Sequence, residues 1–254
     1  MTNKKPLILI TNDDGVHAPG LRKLISLMKP LGDVIVIASE HVMSGMAHAV
    51  TIQTPLRMNL VKEEPGYKEY ITNGTPSDNV KLGKHQVLER QPDLLVSGIN
   101  HGSNASINII YSGTMGAVLE GTIDGIPGIG FSLLDYSHQA DFSHVDEYIL
   151  RITKKVLSEG MPADIGLNVN IPKISDQPIQ GIKVCKQAKA RWVEDFDSRF
   201  DPYGRNYLWM KGEFVNGDPN KDTDQKVLED NFVSVVPVHV DFTAHHYIEK
   251  LKFD

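Results

Sequence analysis

The chain has 254 residues, of which 41% are hydrophobic and 23% are charged, which suits one large globular domain or a domain with an appended subdomain. Its formal net charge is −6 and it has no long run of Lys or Arg, which argues against a long nucleic acid as a partner. No apolar stretch is long enough to span a bilayer, and the single cysteine, Cys185, excludes an intrachain disulfide, so we predict a cytoplasmic protein without a membrane partner.

The first apolar run, Pro6 to Asn12, predicts a strand that is buried on both faces of a parallel sheet. The basic start, Met1 to Lys5, superficially mimics a signal peptide, but the apolar run is too short and ends in two aspartates. These aspartates, Asp13 and Asp14, repel each other unless a cation lies between them. Since ligands of open α/β sheets bind beyond the carboxyl ends of strands, we interpret the pair as a site for Mg²⁺ or Mn²⁺. The alternative is a simple turn with an Asx hydrogen bond.

Strand and helix patterns then alternate through about the first two-thirds of the chain. Such alternation predicts an α/β fold with a mainly parallel sheet, flanked by helices and joined by right-handed crossovers. The predicted elements are an apolar helical stripe over 21–31, a strand over 33–39, a helix begun by Thr75-Pro76-Ser77-Asp78, a strand over 92–98, a helix rich in small residues over 112–121, a strand over 128–134, and a helix opened by Ser143 and Asp146.

The pattern changes after about Ile171, where short strand-like segments are linked by polar loops. The segment 190–214 is charged and rich in aromatic residues, with too little aliphatic content for its own core. We predict an extended hairpin that packs on another subunit; the alternative is that some of its rings stack on a ligand base. We therefore divide the chain into a catalytic core, 1–185, and a C-terminal oligomerisation region, 186–254, with a returning strand near 232–240.

Polar side chains follow three of the predicted strands. Asp13 and Asp14 follow the first, Ser39 and the loop to Gly45 follow the second, and Asn100 follows the strand at 92–98. Parallel strands would place these ends at one edge of the sheet, where two carboxylates, a Ser hydroxyl and an Asn amide oxygen could share one hard cation. Zinc is disfavoured, because no Cys or close pair of His lies nearby. Each residue alone would be an ordinary turn residue.

Ser112, Gly113 and Thr114 stand immediately before a predicted helix. Hydroxyls and free N–H groups at a helix N-terminus form a phosphate site, although an ordinary N-cap is the alternative. Beside a metal site we favour phosphate binding, with Asn104 and Ser112 stabilising charge on the phosphoryl oxygens during hydrolysis by a metal-activated water. The general base stays open among Asp13, Asp14 and two histidines that are close in sequence, His48 and His101.

Several blocks of the first half of the chain closely resemble the SurE (survival protein E) nucleotidases, in that family's order. The resemblance implies a metal-dependent phosphatase that acts on nucleoside 5′- and 3′-monophosphates and sometimes on short polyphosphate. It implies one divalent cation per subunit, Mg²⁺ or Mn²⁺, a Rossmann-like core, and a C-terminal hairpin that is exchanged between subunits of a homodimer or homotetramer. The blocks are Asn12-Asp13-Asp14-Gly15 with Ala18-Pro19-Gly20, Ser44-Gly45, Gly74-Thr75-Pro76-Ser77-Asp78, Ser97-Gly98-Ile99-Asn100, and Tyr111-Ser112-Gly113-Thr114 with Glu120-Gly121.

By this resemblance, the metal ligands are expected to be Asp13, Asp14, Ser44 and Asn100, and Asp13 is also expected to be catalytic. Three positions depart from the family pattern: Asn79 stands where Cys is common, and Ser106 and Asn108 stand where Gly and Asp are common. We expect these departures to affect the finer shape of the phosphate and nucleoside pocket.

Two other function classes compete with a nucleotidase. A response-regulator-like receiver also carries an acidic pair after its first strand, but it needs an acceptor Asp where Ser97 and Asn100 stand, and the chain is about twice too long for one such domain. A non-catalytic nucleotide or metal sensor would use the same pocket, so the sequence leaves it open.

Overall fold

The computed structural model describes residues 5–137 and 139–253, so most of the basic start at Met1 to Lys5 lies outside the described residues. The strands are β1 (Leu7–Thr11), β2 (Asp33–Ser39), β3 (Met58–Glu64), β4 (Tyr67–Thr72), β5 (Leu94–His101), β6 (Gly128–Leu133), β7 (Ile165–Ile171), β8 (Ile182–Val184), β9 (Ala190–Phe200), β10 (Asn206–Asn216) and β11 (Val233–His239). The helices are α1 (Pro19–Met28), α2 (Pro76–Leu82) with a π-helical turn at Gly83–Val87, α3 (Asn108–Tyr111), α4 (Gly113–Ile123), α5 (Asp146–Glu159), α6 (Asp224–Glu229) and α7 (His245–Ile248).

A nine-stranded sheet forms the centre of the fold, with the strand order β3-β4-β2-β1-β5-β6-β7-β11-β8. Neighbouring strands are parallel except in the pairs β3–β4 and β7–β11, so the mainly parallel α/β sheet is confirmed. The carboxyl ends of β1, β2, β5 and β6 therefore lie at the same edge. This edge carries the polar residues that the sequence placed at strand ends.

Helices cover both faces of the sheet, which explains why its central strands are apolar on both sides. Successive residues of a strand point to opposite faces, so Ile8 and Ile10 pack with α1 and α5, whereas Leu9 packs with α2 and α4. Each such aliphatic side chain contributes about 1.5–3 kcal/mol by leaving water. None of the helices in the described ranges has the length and apolarity that a membrane span requires.

One predicted helix start differs from the structure, and one pair of strands was not predicted. The helix predicted to open at Ser143 begins at Asp146, because the backbone N–H of Ser143 donates to the Asp141 carboxylate in a turn and Val145 takes the N-cap position. The hairpin β3–β4 was not predicted. Its outer strand β3 is almost wholly exposed and rich in Lys and Glu, so it lacks the apolar signal of a strand.

The predicted C-terminal hairpin is present, because β9 and β10 pair over their whole length as a separate antiparallel sheet. Large apolar side chains remain exposed along it, including Phe196, Phe200, Trp209 and Met210. After the hairpin the chain returns to the main sheet, where β11 lies between β7 and β8. Strands that precede and strands that follow residue 185 thus belong to the same sheet. The division of the chain into 1–185 and 186–254 stays a prediction.

Candidate metal and phosphate site

Asp13 follows β1 directly and is buried, with only 3% of its surface exposed. Its Oδ1 accepts a hydrogen bond from the Thr114 hydroxyl at 2.6 Å, and its backbone oxygen accepts one from the Met43 N–H at 2.7 Å. Burial, followed by repulsion from Asp14, raises the pKa of Asp13 to about 6, against the lowering effect of the Thr114 bond. An ionised carboxylate here is therefore costly unless a cation approaches it.

Asp14 and Asn100 bring further oxygen atoms to the same edge. The Asp14 carboxylate accepts the His101 N–H at 3.0 Å, and burial raises its pKa. The Asn100 amide nitrogen donates to the backbone oxygens of His101 and Gly102, at 3.3 and 2.9 Å. Among the described residues no Lys or Arg forms an ion pair with either aspartate, and no donor reaches the Asn100 amide oxygen.

The turn after β1 is closed by Asn12 rather than by the aspartates. The Asn12 amide nitrogen donates to the Gly15 backbone oxygen at 2.8 Å, and its own amide oxygen is buried without a partner among the described residues. The hydrogen bond that a simple turn needs is thus supplied without the carboxylates of Asp13 and Asp14. The two carboxylates are held by Thr114 and His101 instead, each through one oxygen.

Ser44 lies in the exposed loop that follows β2. It is next to Met43, whose N–H is bonded to the Asp13 backbone, so this bond ties the Ser44 loop to the Asp13 turn. Within the described part of the chain no hydrogen bond fixes the Ser44 hydroxyl. Ser44 can therefore turn toward a ligand without breaking a contact.

The donor chemistry of these residues fits a hard divalent cation. No group of three or more His, Cys, Asp or Glu suited to a metal occurs among the described residues. A cation at this edge would thus be held by two carboxylates and neutral oxygens, which is the donor set of Mg²⁺ or Mn²⁺ and not that of zinc. The uncompensated charge of buried Asp13 and partly buried Asp14 supports this fit.

The amino end of α4 adjoins Asp13. The Ser112 hydroxyl accepts the Met115 N–H at 3.1 Å, so Ser112 is an N-cap, yet its own O–H hydrogen stays available to a ligand. A Cβ on Gly113 would lie 2.9 Å from the Asp13 Cβ, so this close approach requires glycine. The Thr114 hydroxyl donates to Asp13, and the Thr114 backbone N–H also faces that carboxylate and lowers its pKa, so a phosphate would share this N–H with Asp13.

Asn104 is held by a buried polar network that the sequence reasoning missed. Its amide nitrogen donates to the Ser132 hydroxyl at 2.9 Å, its backbone N–H donates to the Asn170 amide oxygen at 2.8 Å, and its backbone oxygen accepts from Asn168 at 2.8 Å. The sequence feature that could have predicted this network is the pair Asn168 and Asn170 in a buried strand. They are two residues apart, so their side chains point to the same face of the sheet. The network fixes Asn104 and leaves one of its two amide hydrogens free.

The structure distinguishes the two candidate histidines. The His101 ring packs edge-to-face on Phe142, with 5.0 Å between ring centroids, and its Nδ1 lies 3.3 Å from the Ser137 backbone oxygen. The His48 Nε2 instead lies within hydrogen-bond distance of the Glu120 carboxylate, at 2.9 Å. The sequence reasoning also missed Glu120, because its partner His48 is distant in sequence and only the fold brings the two side chains together.

Ser106 contacts the base of the hairpin rather than the phosphate end of α4. Its backbone N–H donates to the buried Asp224 carboxylate at 2.7 Å, and its hydroxyl donates to the Ala188 backbone oxygen at 2.9 Å and accepts the Ala190 N–H at 3.2 Å. Asp224 also accepts the Ala188 N–H, and burial raises its pKa. Asp224 and Ser106 therefore join the loop after β5 to the hairpin.

The other two family departures also have structural partners. The Trp192 ring N–H of β9 donates to the Asn108 side-chain oxygen at 2.8 Å, so Asn108 too faces the hairpin. The Asn79 amide nitrogen donates to the hydroxyls of Thr11 and Ser39, both at 3.2 Å. Asn79 therefore binds together the carboxyl ends of β1 and β2.

Comparisons with known proteins agree with this architecture. The family model described as survival protein SurE matches residues 8–194. The chain is 57% identical over 253 residues to the 5′-nucleotidase SurE of Christiangramia forsetii, covering 99% of this chain and 97% of that protein. It is 52% identical over 248 residues to the 5′-nucleotidase SurE of Flavobacterium psychrophilum, covering 97% and 96%. The crystal structure of the Sure protein from Aquifex aeolicus superposes with a TM-score of 0.83 at 39% identity, covering 97% of this chain and 98% of that one.

Proposed function

Since the chain belongs to the family of survival protein SurE, we propose that it is a 5′-nucleotidase, which hydrolyses nucleoside 5′-monophosphates to nucleoside and phosphate. The observation that carries the proposal is the pair of buried Asp13 and partly buried Asp14, which forms no ion pair with Lys or Arg among the described residues, with Asp13 set against the amino end of α4. Activity on 3′-monophosphates and on short polyphosphate belongs to the same proposal.

The proposed cofactor is one Mg²⁺ or Mn²⁺ per subunit, held by Asp13, Asp14, Ser44 and Asn100. When bound, such a cation polarises a phosphoryl oxygen and lowers the pKa of a bound water, which yields a nucleophile at neutral pH. The partnerless Asn100 oxygen and the raised pKa values of both aspartates support this assignment.

The remaining proposed roles belong to side chains and N–H groups around the phosphate. The Ser112 hydroxyl and the N–H groups of Gly113 and Thr114 donate to phosphate oxygens, favoured by the dipole of α4. The free amide hydrogen of Asn104 stabilises the charge that develops on the phosphoryl group. Thr114 holds Asp13 in place, so it acts on the reaction through that carboxylate.

The hairpin gives a second proposal, a homodimer or homotetramer in which β9–β10 packs on, or is exchanged with, another subunit. Phe196, Phe200, Trp209 and Met210 are exposed on a hairpin that lacks a core of its own. By the strand register Phe196, Phe200 and Met210 share one face of the hairpin and Trp209 lies on the other, and apolar surface exposed in this way is typical of an interface between subunits. We place the protein in the cytoplasm because of its single cysteine.

The proposed function is tested by phosphate release from 5′- and 3′-nucleoside monophosphates in EDTA, Mg²⁺ or Mn²⁺. We expect release from 5′-monophosphates that requires the added cation. Nucleotide binding without release, from protein that circular dichroism shows to be folded, would instead support the sensor alternative.

A further inference from the structure

A buried carboxylate on α4 holds one of the histidines. The Glu120 side chain, 5% exposed, lies 2.9 Å from His48 Nε2 through one oxygen and 2.5 Å from Lys81 Nζ through the other. Burial alone would raise the pKa of Glu120, but the hydrogen bonds from His48 and Lys81 outweigh it and hold the pKa below its usual value. Glu120 is thus ionised at neutral pH and accepts a hydrogen from His48 Nε2.

His48 borders a cleft of about 820 Å³ that also includes Ser112. The cleft, which we call the α4 cleft, is lined by His48, Ser112 and Gly116 together with Val236 and Phe242. Its largely apolar lining suits a nucleoside better than a second phosphate.

Gly116 sets the distance between His48 and the proposed phosphate site. A Cβ on Gly116 would lie 3.0 Å from the His48 Cα, so the histidine backbone packs directly on the helix. Gly116 lies one helical turn, about 5.4 Å, beyond Ser112. The histidine is therefore about one turn from the phosphate-binding end of α4, on the side of the cleft.

We propose that His48 is the general acid that protonates the nucleoside oxygen as it leaves, and that Glu120 is the positioning residue that holds the His48 ring. This inference rests on the proposed nucleotidase function. Because Nε2 is bonded to Glu120, Nδ1 is the ring nitrogen left to face substrate, and it has no hydrogen-bond partner among the described residues. An adjacent carboxylate stabilises the doubly protonated imidazole that this role needs.

The step conserves atoms, electrons and protons. A water oxygen forms a bond to phosphorus while the bond from phosphorus to the nucleoside oxygen breaks, and that oxygen keeps the electron pair. The His48 proton moves to it, which gives the free nucleoside hydroxyl. The proton lost by the attacking water returns through solvent to His48.

Several charged and titratable groups lie near His48. Glu120 and Lys81 lie on its Nε2 side, and Lys186, His239 and Asp241 line the α4 cleft.

The leaving group provides the sharpest test. A nucleoside alkoxide needs a proton to leave, whereas 4-nitrophenolate does not, so the two substrates separate general-acid catalysis from binding. For His48→Gln, whose amide can still donate to Glu120, we expect kcat on a nucleoside 5′-monophosphate to fall about 10²–10⁴-fold. On 4-nitrophenyl phosphate kcat should change little.

Glu120→Gln should lower kcat on the nucleotide by up to about 100-fold, because the ring is misplaced rather than lost, and should likewise leave kcat on 4-nitrophenyl phosphate little changed. His85→Gln, the same substitution at an exposed histidine of the turn after α2, is the matched control and should leave both substrates unaffected.

Different results would overturn the general-acid role and the proposed function. Equal losses of His48→Gln on both substrates, or no loss on either, would overturn the general-acid role, with folding checked by circular dichroism. Failure of the unchanged protein to release phosphate from either substrate would overturn the proposed function itself.

Discussion

Replacing Asp13 by Asn should stabilise the metal-free protein while it abolishes phosphate release. Burial and the neighbouring Asp14 raise the pKa of Asp13 from 3.8 to about 6 in the folded protein. The folded state therefore binds more protons than the unfolded state between these two values. The stability that the protonated side chain allows is fully present below about pH 4 and is lost as the pH rises through about 6.

The size of this effect follows from the shift. A difference of about 2 pH units, at 1.36 kcal/mol per unit, makes the ionised carboxylate cost about 3 kcal/mol above pH 7. Asparagine removes the charge but keeps an oxygen that can accept the Thr114 hydroxyl, and it leaves no cavity. In EDTA at pH 8 the variant should be more stable by up to about 3 kcal/mol, and at pH 4 the difference should nearly vanish.

Urea unfolding in EDTA at pH 8 and pH 4 measures this difference, and phosphate release at limiting Mn²⁺ should fall by more than about 100-fold, beyond the range typical of outer-shell changes. Asp164→Asn removes an exposed carboxylate and should stay within about 0.5 kcal/mol of the unchanged protein. A variant of Asp13 that is less stable at pH 8 would refute the argument from burial. Normal turnover at limiting Mn²⁺ would refute the metal assignment.

Three further predictions concern the surroundings of the site. Gly113→Ala should retain the fold but lower phosphate release more than about tenfold, since the added Cβ displaces Asp13; unchanged kinetics would contradict this. Ser106→Ala should lower the free energy of unfolding in urea by about 1–3 kcal/mol, because it removes both hydroxyl contacts with the hairpin. Ser106→Gly should lower it by about 1 kcal/mol less, because φ is +57° at this position and glycine adopts such a φ without strain; the opposite order would refute this reasoning. Replacing 193–213 by a short Gly-Ser turn should give a smaller oligomer by light scattering, and an unchanged mass would count against the hairpin interface.

The elements that were predicted well are those whose signal is local. The buried strand over 33–39 has the predicted bounds, because its apolar run is continuous. The start of α2 has both hydrogen bonds of a capping box, between Thr75 and Asp78, as its residue pattern indicated. The exposed strand β3 could not be recognised in the same way, since pairing with β4 and not composition makes it a strand.

The strand-end rule brought together Asp13, Asp14 and Asn100, which lie at one edge because β1 and β5 are parallel neighbours. It could not reveal Glu120, whose partners His48 and Lys81 are 72 and 39 residues away in sequence. Ser106 and Asn108 were expected to shape the pocket, which stays a prediction, and the sequence did not indicate the hydrogen bonds that their side chains form at the hairpin. Long-range contacts of this kind leave no periodic trace in the sequence.

The bond between Ser106 and Asp224 joins residues 118 positions apart, which has a consequence for biosynthesis. A ribosome makes the proposed cation ligands early, in the first 100 residues, but adds Asp224 near the end of translation. Until then the backbone N–H groups of Ser106 and Ala188 lack the carboxylate that accepts both of them and joins the loop to the base of the hairpin. Contacts between residues so far apart in sequence form late and slowly. A nascent polypeptide would therefore contain the proposed cation-binding residues well before the site is completely formed.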